Sequence, residues 1–478
     1  MKVGIDAIHY YVPQTYLPIE ELARARGIEY AKLNKGLGLE AMAVPDVNED
    51  VATMAANAAL RIIKENDIDP REIGRIYLGT ESALDAAKAT ASYVADIIEQ
   101  NLSEAFGTRC LKNCDVVDLT FACIGAVDAL ENALDWVRVD ASRKAIIIAA
   151  DVAKYDLGSS GEYTQGAGAV AVLVKSEPRI LAFNPHIGVA MNSVSDFYKP
   201  RRSYKKVDLL QQAATLLGTS ISDNDAEQLL ASAGKPFWND ASVAVEIHKD
   251  EPVFDGPYSN DCYQVRITEA LANFREKQQM QVLNRWNKLV FHLPYAFQGR
   301  RMIVANWYAW MLEAGREDEI KQAIAEMGVE EAGEADQIKA LAKSAIYRSF
   351  VTEYIAQGEI ASSKIGNMYT ASIFMSLLSL LVNASKTDEQ LTYKNIGFFA
   401  YGSGSKAKAL EATVQSDWQK QISSIQLFEE LEQRTPLTFS VYEKWHKGKL
   451  EEPFQKGRTI KLNKVGTEGV TLGYRYYA

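Results

Sequence analysis

The feature that most constrains this fold is a regular alternation between short β-branched runs and longer stretches with helical periodicity. Strands are predicted at Arg75–Gly79, Cys114–Leu119, Lys144–Ala149, Ala169–Val174, Lys288–Phe291 and Asn395–Ala400. Helices are predicted at Val51–Glu65, Gly125–Val137, Glu269–Asn287 and Met368–Val382. Strands that alternate with helices are typical of α/β proteins. The sequence therefore predicts an α/β fold.

Two segments interrupt this alternation and are predicted to be insertions into the core. The first is polar and covers about residues 205–240, and the second is acidic and alanine-rich and covers about residues 313–343. Charge spread through a helical pattern is typical of a solvated surface. We therefore expect the second insertion to be an exposed helical pair.

Charge and hydropathy exclude several classes of partner. The chain has 52 Lys and Arg against 62 Asp and Glu, a formal net charge of −10, whereas nucleic-acid binding needs a basic face. The longest apolar stretch, Ile373–Val382, is too short and too rich in serine to span a bilayer. The amino terminus lacks the charged-then-apolar organisation of a secretory signal. We expect a cytoplasmic protein that binds neither nucleic acid nor membrane.

The 4 cysteines are too sparse to form a disulfide framework in a chain of this length. Cys110 and Cys114 lack the spacing of a zinc pair and have no histidine nearby. We therefore expect reduced thiols and no metal site.

Cys123 is the cysteine with the most informative surroundings. A predicted strand leads to it and a predicted amphipathic helix follows at once. The N–H groups and dipole at the start of a helix favour a thiolate, which makes Cys123 a candidate nucleophile with a backbone donor close by for an oxyanion. A free cysteine is just as often a small buried hydrophobic residue, and the local sequence alone leaves both interpretations open.

Two further side chains follow predicted strands. Glu81 comes after the strand that ends at Gly79, and His292 comes after Lys288–Phe291. A carboxylate at a strand-to-helix junction is often a helix cap, and a single histidine at a strand end is usually structural. Next to an acyl-thioester, however, such a carboxylate can act as a general base.

Six segments, in this order along the chain, resemble the signature segments of the hydroxymethylglutaryl-CoA synthase family. They are GTESALDAAK, DLTFACIGAVDAL, YDLGSSGEYTQGAGAVAVLV, FHLPYAFQGRRM, GNMYTASIF and FAYGSGS. The resemblance extends from GIDAIHYYVP to YGSGS and is weaker in the carboxyl-terminal stretch and in the two insertions. Six ordered segments are far more specific than any one of them.

The resemblance implies a thiolase-like layered fold of two similar halves, each a mixed sheet between helices, assembled as a homodimer. The first half, residues 1–175, would carry Glu81 and Cys123, and the second, residues 176–478, would carry His292, Asn367 and Ser403. The implied reaction condenses acetyl-CoA with acetoacetyl-CoA and water, giving 3-hydroxy-3-methylglutaryl-CoA for the mevalonate pathway of isoprenoid synthesis. No cofactor beyond these CoA thioester substrates is implied.

The resemblance also implies a role for each catalytic group. Cys123 matches the nucleophile that carries the acetyl group, Glu81 the general acid/base, and His292 the residue that orients and polarises the acetoacetyl group. These roles suit the chemistry of the three side chains, since a thiolate attacks thioesters readily and neutral imidazole can donate to a carbonyl oxygen.

Substrate contacts are implied at further positions. Tyr155 and Thr164 match the segment that closes on the acyl pocket, Asn367 and Ser403 match polar residues that line the acetoacetyl and thioester end, and Ser259 loosely matches a segment near the CoA arm. Structural roles are open for two of them. Thr164 could cap the turn before a strand, and Asn367 could cap a helix.

Arg301, with Arg300 beside it, matches a basic position where the family meets CoA phosphate or pantetheine groups. This chain departs from the family at Phe297, where typical members have a lysine. The details of the CoA contacts therefore remain open, although arginine can supply bidentate phosphate contacts.

Two alternatives remain. GAGAVA at Gly166 and GSGSKA at Gly402 fit the loose dinucleotide fingerprint of a nicotinamide dehydrogenase; the first lacks a preceding strand, whereas the second follows a strand and could open a helix at Lys406. The second lacks a suitably spaced acidic residue, because Asp417 comes too early. The other alternative is a β-branching synthase of polyketide assembly, which uses the same catalytic groups on an acceptor held by an acyl carrier protein.

Overall fold

The computed structural model describes residues 1–239, 242–455 and 460–478. These residues form two compact units. The larger unit contains Met1–Asp196 and Asp255–Ala478, and the smaller contains Phe197–Phe254. Asp240, the last residue of the first predicted insertion, lies outside the described residues.

The strands are numbered in chain order. They are β1 (Val3–Tyr11), β2 (Thr15–Pro18), β3 (Ala41–Val44), β4 (Ile73–Gly79), β5 (Asp115–Leu119), β6 (Lys144–Ala153), β7 (Gly166–Ser176), β8 (Leu181–Phe183), β9 (Gly188–Met191), β10 (Phe197–Tyr198), β11 (Arg202–Lys205), β12 (Ala244–Ile247), β13 (Val253–Phe254), β14 (Lys288–Phe291), β15 (Asn395–Gly402), β16 (Lys406–Val414), β17 (Thr435–Pro436), β18 (Leu462–Val465) and β19 (Arg475–Tyr477).

The α-helices are numbered in the same way. They are α1 (Ile19–Arg26), α2 (Tyr30–Leu37), α3 (Val51–Glu65), α4 (Thr90–Phe106), α5 (Gly125–Val139), α6 (Lys206–Leu216), α7 (Asp223–Ser232), α8 (Pro236–Asn239), α9 (Gly256–Lys277), α10 (Val282–Arg285), α11 (Gln298–Met302), α12 (Val304–Glu313), α13 (Glu317–Glu326), α14 (Glu334–Leu341), α15 (Ala345–Tyr354), α16 (Ala356–Ile365), α17 (Ser372–Lys386), α18 (Trp418–Ile422), α19 (Leu427–Glu432) and α20 (Phe439–His446).

The larger unit is built on a mixed sheet with the strand order β14-β15-β16-β8-β1-β7-β6-β4-β5, and β9 pairs with β16. β14 pairs parallel with β15, and β4 pairs parallel with both β5 and β6. The pairings from β15 through β16, β8, β1 and β7 to β6 are antiparallel. Short β8 pairs with both β1 and β16, so strands from both ends of the chain share one sheet. The predicted boundary at residues 175/176 falls at the end of β7, and a division into two halves stays a prediction.

Alternation along β6 shows how helices cover both faces of this sheet. Ile147 packs in the cluster that contains α5 and α17, whereas its neighbour Ile148 packs in the cluster that contains α3 and α4. Both residues are at most 1% exposed. Because successive side chains of a strand point to opposite faces, an unbroken apolar run of this kind is typical of a strand buried on both sides. The predicted α/β class is confirmed.

Two predicted helices have different bounds in the structure. The helix predicted at Glu269–Asn287 instead begins at Gly256, where the side chain of Asp255 accepts from the N–H of Tyr258, and it ends at Lys277. The chain leaves the helix so that Trp286, which is 1% exposed, can pack against Phe274 with ring centroids 5.8 Å apart. Tertiary burial thus overrides local propensity at this point.

The helix predicted at Met368–Val382 begins later. Tyr369–Ala371 forms a turn of 3-10 helix, and α17 starts at Ser372. Tyr369 has φ 42°, in the left-handed region, which interrupts a regular α-helix at this residue.

The two insertions lie in different units. The acidic segment forms α13 and α14, whose apolar residues Ile320 and Leu341 are buried in the core. The segment near residues 205–240 belongs to the smaller unit, which contains α6, α7 and α8 and two antiparallel pairs, β10 with β13 and β11 with β12. Within residues 1–239, 242–455 and 460–478, no helix combines the length and apolar character needed to cross a membrane.

Candidate active site

Cys123 lies in the tight turn between β5 and α5. Ala122, the residue before it, has φ 41°, in the sparsely populated left-handed region that reverses the chain sharply. Gly125 opens α5 where a Cβ atom would lie 2.5 Å from the carbonyl oxygen of Leu119, so glycine is needed for this close approach. Cys123 is 7% exposed. The predicted strand-to-helix placement of the thiol is confirmed.

The end of β15 packs closely against the same turn. A Cβ atom on Gly402 would lie 2.5 Å from the carbonyl oxygen of Phe121 and 2.8 Å from Cγ2 of Ile124. The turn that carries Cys123 is therefore held between its own helix and a strand from the carboxyl-terminal part of the chain.

Glu81 meets the thiol directly. The Sγ atom of Cys123 donates a hydrogen bond to Oε1 of Glu81 over 2.8 Å. Glu81 follows β4, which ends at Gly79, where a Cβ atom would lie only 2.2 Å from the backbone nitrogen of Ala126. Because glycine lets β4 approach the first turn of α5 so closely, the carboxylate reaches the sulfur.

Asp151 holds the turn that carries Glu81. Oδ1 of Asp151 accepts from the N–H of Glu81 over 2.7 Å and from the hydroxyls of Thr80 and Ser82, each over 2.9 Å. Its Oδ2 accepts from the N–H and the hydroxyl of Thr370. Asp151 is 0% exposed, so this carboxylate is stabilised inside the protein by the donors that it positions.

Two buried tyrosines complete the surroundings of the thiol. The rings of Tyr155 and Tyr369 lie 6.4 Å apart between centroids. Burial raises the pKa of both hydroxyls, and the neighbouring negative charge of Cys123 and Glu81 raises the pKa of both further. Both phenols therefore stay protonated near neutral pH and can act as hydrogen-bond donors beside the sulfur.

His292 directly follows β14 and is fully enclosed. Its backbone N–H donates to the carbonyl of Phe399 over 3.0 Å, and its carbonyl accepts from the hydroxyl of Tyr263 over 2.7 Å. Burial lowers the pKa of the imidazole to about 3, so His292 is neutral at physiological pH. Its buried Nδ1 has no hydrogen-bond partner among the described residues, which makes it a polar atom available for a ligand.

Tyr263 links His292 to the cysteine. Burial raises the pKa of the Tyr263 hydroxyl, and the charge of Cys123 contributes to the rise. The ring of Tyr263 lies 6.1 Å from that of His292 between centroids. The structure therefore brings Cys123, Glu81 and Tyr155 together and places His292 next to them across Tyr263.

Thr164 and Asn367 pack behind this group. The hydroxyl of Thr164 donates to the carbonyl of Gly161 over 2.8 Å, and the carbonyl of Thr164 accepts from the N–H of Asn367 over 2.8 Å. Oδ1 of Asn367 accepts from the N–H of Tyr369 over 2.8 Å and from the hydroxyl of Ser372 over 3.1 Å. Both side chains thus stabilise turns, which is the structural role that the sequence had left open for each.

Ser259 contacts a second buried carboxylate, Asp196, and Ser403 lies near Tyr401, which contacts the same carboxylate. Asp196 accepts from the hydroxyl of Ser259 over 2.9 Å and from that of Tyr401 over 2.8 Å. Burial and Asp196 raise the pKa of Tyr401, and nearby Ser403 offsets a small part of this rise. The ring of Tyr401 stacks on that of Tyr263 at 4.5 Å. These two serines therefore lie on the His292 side of the site.

Arg301 lies apart from the thiol, on the surface. Its guanidinium is 5.7 Å from the centre of the Tyr295 ring, and it forms no ion pair with any residue in the described ranges. Arg300, by contrast, pairs with buried Glu359 and stacks on Phe297 at 3.9 Å. Arg301 is the one of the two that is free to meet a phosphate.

The site residues predicted from the sequence do not include Asp151, Asp196, Tyr263 or Tyr369. One signal was available for Asp151, a carboxylate inside the otherwise apolar run IIIAADVA. A charge in such a strand is costly unless it is paired or hydrogen-bonded. Tyr369 lies inside GNMYTASIF, but neither its left-handed conformation nor its distance from Tyr155 can be inferred from that segment.

The layered mixed sheet and the cysteine at a strand-to-helix turn define a thiolase-like enzyme. Residues 1–178 match the family model described as hydroxymethylglutaryl-coenzyme A synthase N terminal, and residues 244–464 match the corresponding C-terminal model. The chain belongs to the hydroxymethylglutaryl-CoA synthase family.

Individual relatives agree along nearly the whole chain. A hydroxymethylglutaryl-CoA synthase of Haloferax volcanii is 28% identical, with 93% of this chain and 91% of the relative covered. A hydroxymethylglutaryl coenzyme A synthase of a Fusarium species is 30% identical, with 93% and 89% covered. A solved structure of MvaS in complex with 3-hydroxy-3-methylglutaryl coenzyme A is 27% identical with a TM-score of 0.74, and 100% of this chain and 99% of that one are covered.

Proposed function

We propose that this chain is a hydroxymethylglutaryl-CoA synthase, an acyltransferase that condenses acetyl-CoA with acetoacetyl-CoA and water. The observation that carries the proposal is the 2.8 Å hydrogen bond from the thiol of Cys123 to the carboxylate of Glu81. The contact places a general acid/base within reach of an acyl group carried on Cys123, which is the arrangement that condensation on an enzyme-bound acetyl group requires.

In the first step, the sulfur of Cys123 attacks the thioester carbonyl of acetyl-CoA. The bond to the CoA sulfur breaks, CoA leaves as its thiol with the proton that Cys123 loses, and the acetyl group remains on Cys123. The pKa of a cysteine thiol is close to that of the CoA thiol, so neither direction of this exchange is strongly uphill.

In the second step, Glu81 removes a proton from the acetyl methyl group, and the resulting carbanion equivalent attacks the ketone carbon of acetoacetyl-CoA. Neutral His292 donates a hydrogen bond to the ketone oxygen and orients it. Glu81 returns its proton to the tertiary alkoxide. Water then cleaves the thioester on Cys123, which frees the thiol and leaves the carboxylate of 3-hydroxy-3-methylglutaryl-CoA.

The remaining predicted residues serve substrate binding in this proposal. The hydroxyl of Tyr155 contacts the acyl group on Cys123, and Ser259 and Ser403 serve the acetoacetyl and pantetheine side. Thr164 and Asn367 act through the turns that they stabilise. Arg301 and Arg348 line a cleft of about 230 Å³ that also contains Tyr347 and Thr352. Two arginines without ion pairs among the described residues suit the phosphates of CoA.

Radiolabelled acetyl-CoA tests the covalent step. Incubation without acetoacetyl-CoA should leave hydroxylamine-labile label on Cys123, and the label should be absent from Cys123→Ala. Cys110→Ala, which changes another buried cysteine of the chain, should be labelled like the wild type. An unlabelled wild-type protein would contradict the proposal.

The identity of the acceptor is tested separately. Consumption of acetyl-CoA should depend on acetoacetyl-CoA and should be unchanged by added carrier proteins, whereas dependence on a carrier would favour the β-branching synthases.

The alternative of a nicotinamide dehydrogenase required a helix after Gly402. Lys406 instead begins strand β16, so this alternative is wrong.

We also propose a homodimer, a cytoplasmic location and a place in the mevalonate pathway. β5 is an edge strand with Val117 38% exposed, and an open apolar edge is suited to pairing with a second copy. Sedimentation should give twice the chain mass, and Val117→Lys should shift the measured mass towards that of the monomer.

A cytoplasmic location fits a catalytic thiol, which must stay reduced. We propose no cofactor besides the CoA thioesters, because the three side chains supply the nucleophile, the acid/base and the hydrogen-bond donor of the condensation. Dialysis against EDTA should leave the activity intact.

A further inference from the structure

The loop of residues 154–165, which carries Tyr155 and Thr164, is held by α20, a helix almost three hundred residues further along the chain. α20 packs in a satellite core that includes α1 and α2, and in this core Tyr442 is 0% exposed. The predicted site residues gave no reason to consider this helix. Its contacts nevertheless reach the backbone of Tyr155.

The backbone N–H and carbonyl of Tyr155 both form hydrogen bonds with side chains, those of Gln165 and His446. The N–H of Tyr155 donates to Oε1 of Gln165 over 2.7 Å. Nε2 of His446 lies 2.8 Å from the carbonyl oxygen of Tyr155 and 3.3 Å from the same Oε1 of Gln165. Because both neighbours of Nε2 are acceptors, this nitrogen must carry the proton and donate. His446 therefore fixes the carbonyl of Tyr155 directly.

Tyr442 connects the other end of the loop. Nε2 of Gln165 donates to the hydroxyl of Tyr442 over 2.6 Å, and that hydroxyl donates to Oε1 of Glu162 over 3.1 Å. Glu162 is held in turn by Arg26 of α1, with both hydrogen bonds at 2.8 Å, and by the N–H of Gly158 at 2.7 Å. A closed set of buried hydrogen bonds thus joins the loop to α1 and α20.

Burial makes this network rigid. Gln165 is 3% exposed, Glu162 is 1% exposed and His446 is 8% exposed. A buried polar group that loses its partner cannot replace that partner with bulk water, so each member resists displacement. The loop therefore takes its position from α20, and the hydroxyl of Tyr155 takes its place beside Cys123 from the loop.

We propose that His446 and Tyr442 are positioning residues that set the place of the Tyr155 hydroxyl against the acyl group on Cys123. The expected change in kcat rests on the proposed function, whereas the position of the Tyr155 hydroxyl rests on the hydrogen-bond network. Neither residue touches the reacting atoms. Their effect is transmitted through the backbone of Tyr155 and through Gln165.

The test compares two substitutions of His446 with a packing control on the same helix. His446→Leu removes the donor, whereas His446→Gln keeps an N–H that can reach the same carbonyl. Val441→Ala alters the apolar packing of α20 at a side chain that takes no part in the hydrogen bonds. We expect His446→Leu to lower kcat about ten- to hundredfold with KM for acetyl-CoA within about twofold, because small misplacements of a reacting geometry are costly. His446→Gln should recover most of the loss, and Val441→Ala should stay near the wild type.

A double-mutant cycle separates positioning from general destabilisation. If His446 acts through the Tyr155 hydroxyl, His446→Leu should have little further effect on kcat in a Tyr155→Phe background. Tyr442→Phe should behave in the same way and provides a second route if His446→Leu does not fold. Additive losses in the cycle, or an unchanged kcat in folded His446→Leu, would overturn the proposal.

A readout without turnover keeps this test independent of the proposed function. Alkylation of Cys123 by iodoacetamide, followed by peptide mass spectrometry across a range of pH, reports the surroundings of the thiol whatever the substrate is. We expect His446→Leu to shift the midpoint of this profile and Val441→Ala to leave it in place. If the wild type accepts no acetyl group but the shift is still seen, the proposed function fails and the positioning role stands. An unshifted profile overturns the positioning role.

Discussion

Asp151 and Thr370 are joined by two hydrogen bonds although 219 residues separate them in the chain: Oδ2 of Asp151 accepts from the N–H of Thr370 over 3.0 Å and from its hydroxyl over 2.5 Å. Oδ1 of the same carboxylate accepts from the N–H of Glu81. One buried side chain thus holds both the turn that carries Glu81 and the turn that carries Tyr369. The distance between the two turns is set by a carboxylate that contacts neither the thiol nor, in our proposal, the substrate.

Asp151→Asn should therefore damage both stability and condensation. The amide would turn an N–H₂ group towards donors, which leaves buried groups unsatisfied at a cost of about 1–3 kcal/mol each. We expect a lower melting temperature and a fall in kcat of roughly a hundredfold, since the base shifts from its place. Asp140→Asn, in an exposed turn where the carboxylate accepts from Ser142, is the matched control and should stay close to the wild type.

Glu81→Ala should separate the two halves of the proposed reaction. We expect label from acetyl-CoA to accumulate on Cys123, because that step needs only the thiol, while condensation falls by about 10²–10⁴-fold without the acid/base. Glu104→Ala, on the exposed face of α4, should leave both steps unchanged. Equal loss of labelling and condensation in Glu81→Ala would contradict the assigned role.

His292 should make the stability of the protein depend on pH in a defined window. Its pKa is lowered by burial to about 3 in the folded chain, against about 6.5 for an ordinary histidine. Above pH 6.5 the imidazole is neutral in both the folded and the unfolded chain, so the free energy of unfolding is fully retained. As the pH falls from 6.5 towards 3, only the unfolded chain gains the proton. The free energy of unfolding then falls by up to about 1.4 kcal/mol per pH unit.

The free energy of unfolding of the wild type and of His292→Gln, measured by denaturant titration between pH 3 and 8, checks this. The variant should lose less stability on acidification than the wild type does. The pH–rate profile between pH 5 and 9 should contain no inflection from His292, because its imidazole stays neutral there. Parallel stability curves for the two proteins would show that the buried imidazole titrates normally.

Gly402→Ala should distort the turn that carries Cys123. The added Cβ would lie 2.5 Å from the carbonyl oxygen of Phe121, a distance that requires the backbone to move. We expect a loss of about 1–3 kcal/mol in unfolding free energy and a large fall in Cys123 labelling. Gly36→Ala is the matched control, because it lies in α2 with open space around it and should be neutral or slightly stabilising.

Much of the local structure was predictable. Helix Val51–Glu65 and strand Lys288–Phe291 have the predicted bounds, because capping, periodicity and β-branched runs act over a few residues. The Cys123 turn and the positions of Glu81 and His292 after strands also followed from these patterns. The helix that the dinucleotide alternative needed at Lys406 is absent there, because Lys406–Val414 forms β16, which pairs with β15 and β9.

The α/β class, the turn that places a thiol at the start of a helix and, through six ordered segments, the family could all be read from the sequence. Only the tertiary structure decided which side chains meet: Glu81 with Cys123, Asp151 with Thr370, and His446 with Tyr155, the last two across 219 and 291 residues. Periodicity and capping describe interactions between neighbours along the chain. Contacts at such separations depend on strand order and on the packing of helices against the sheet, which no local pattern encodes.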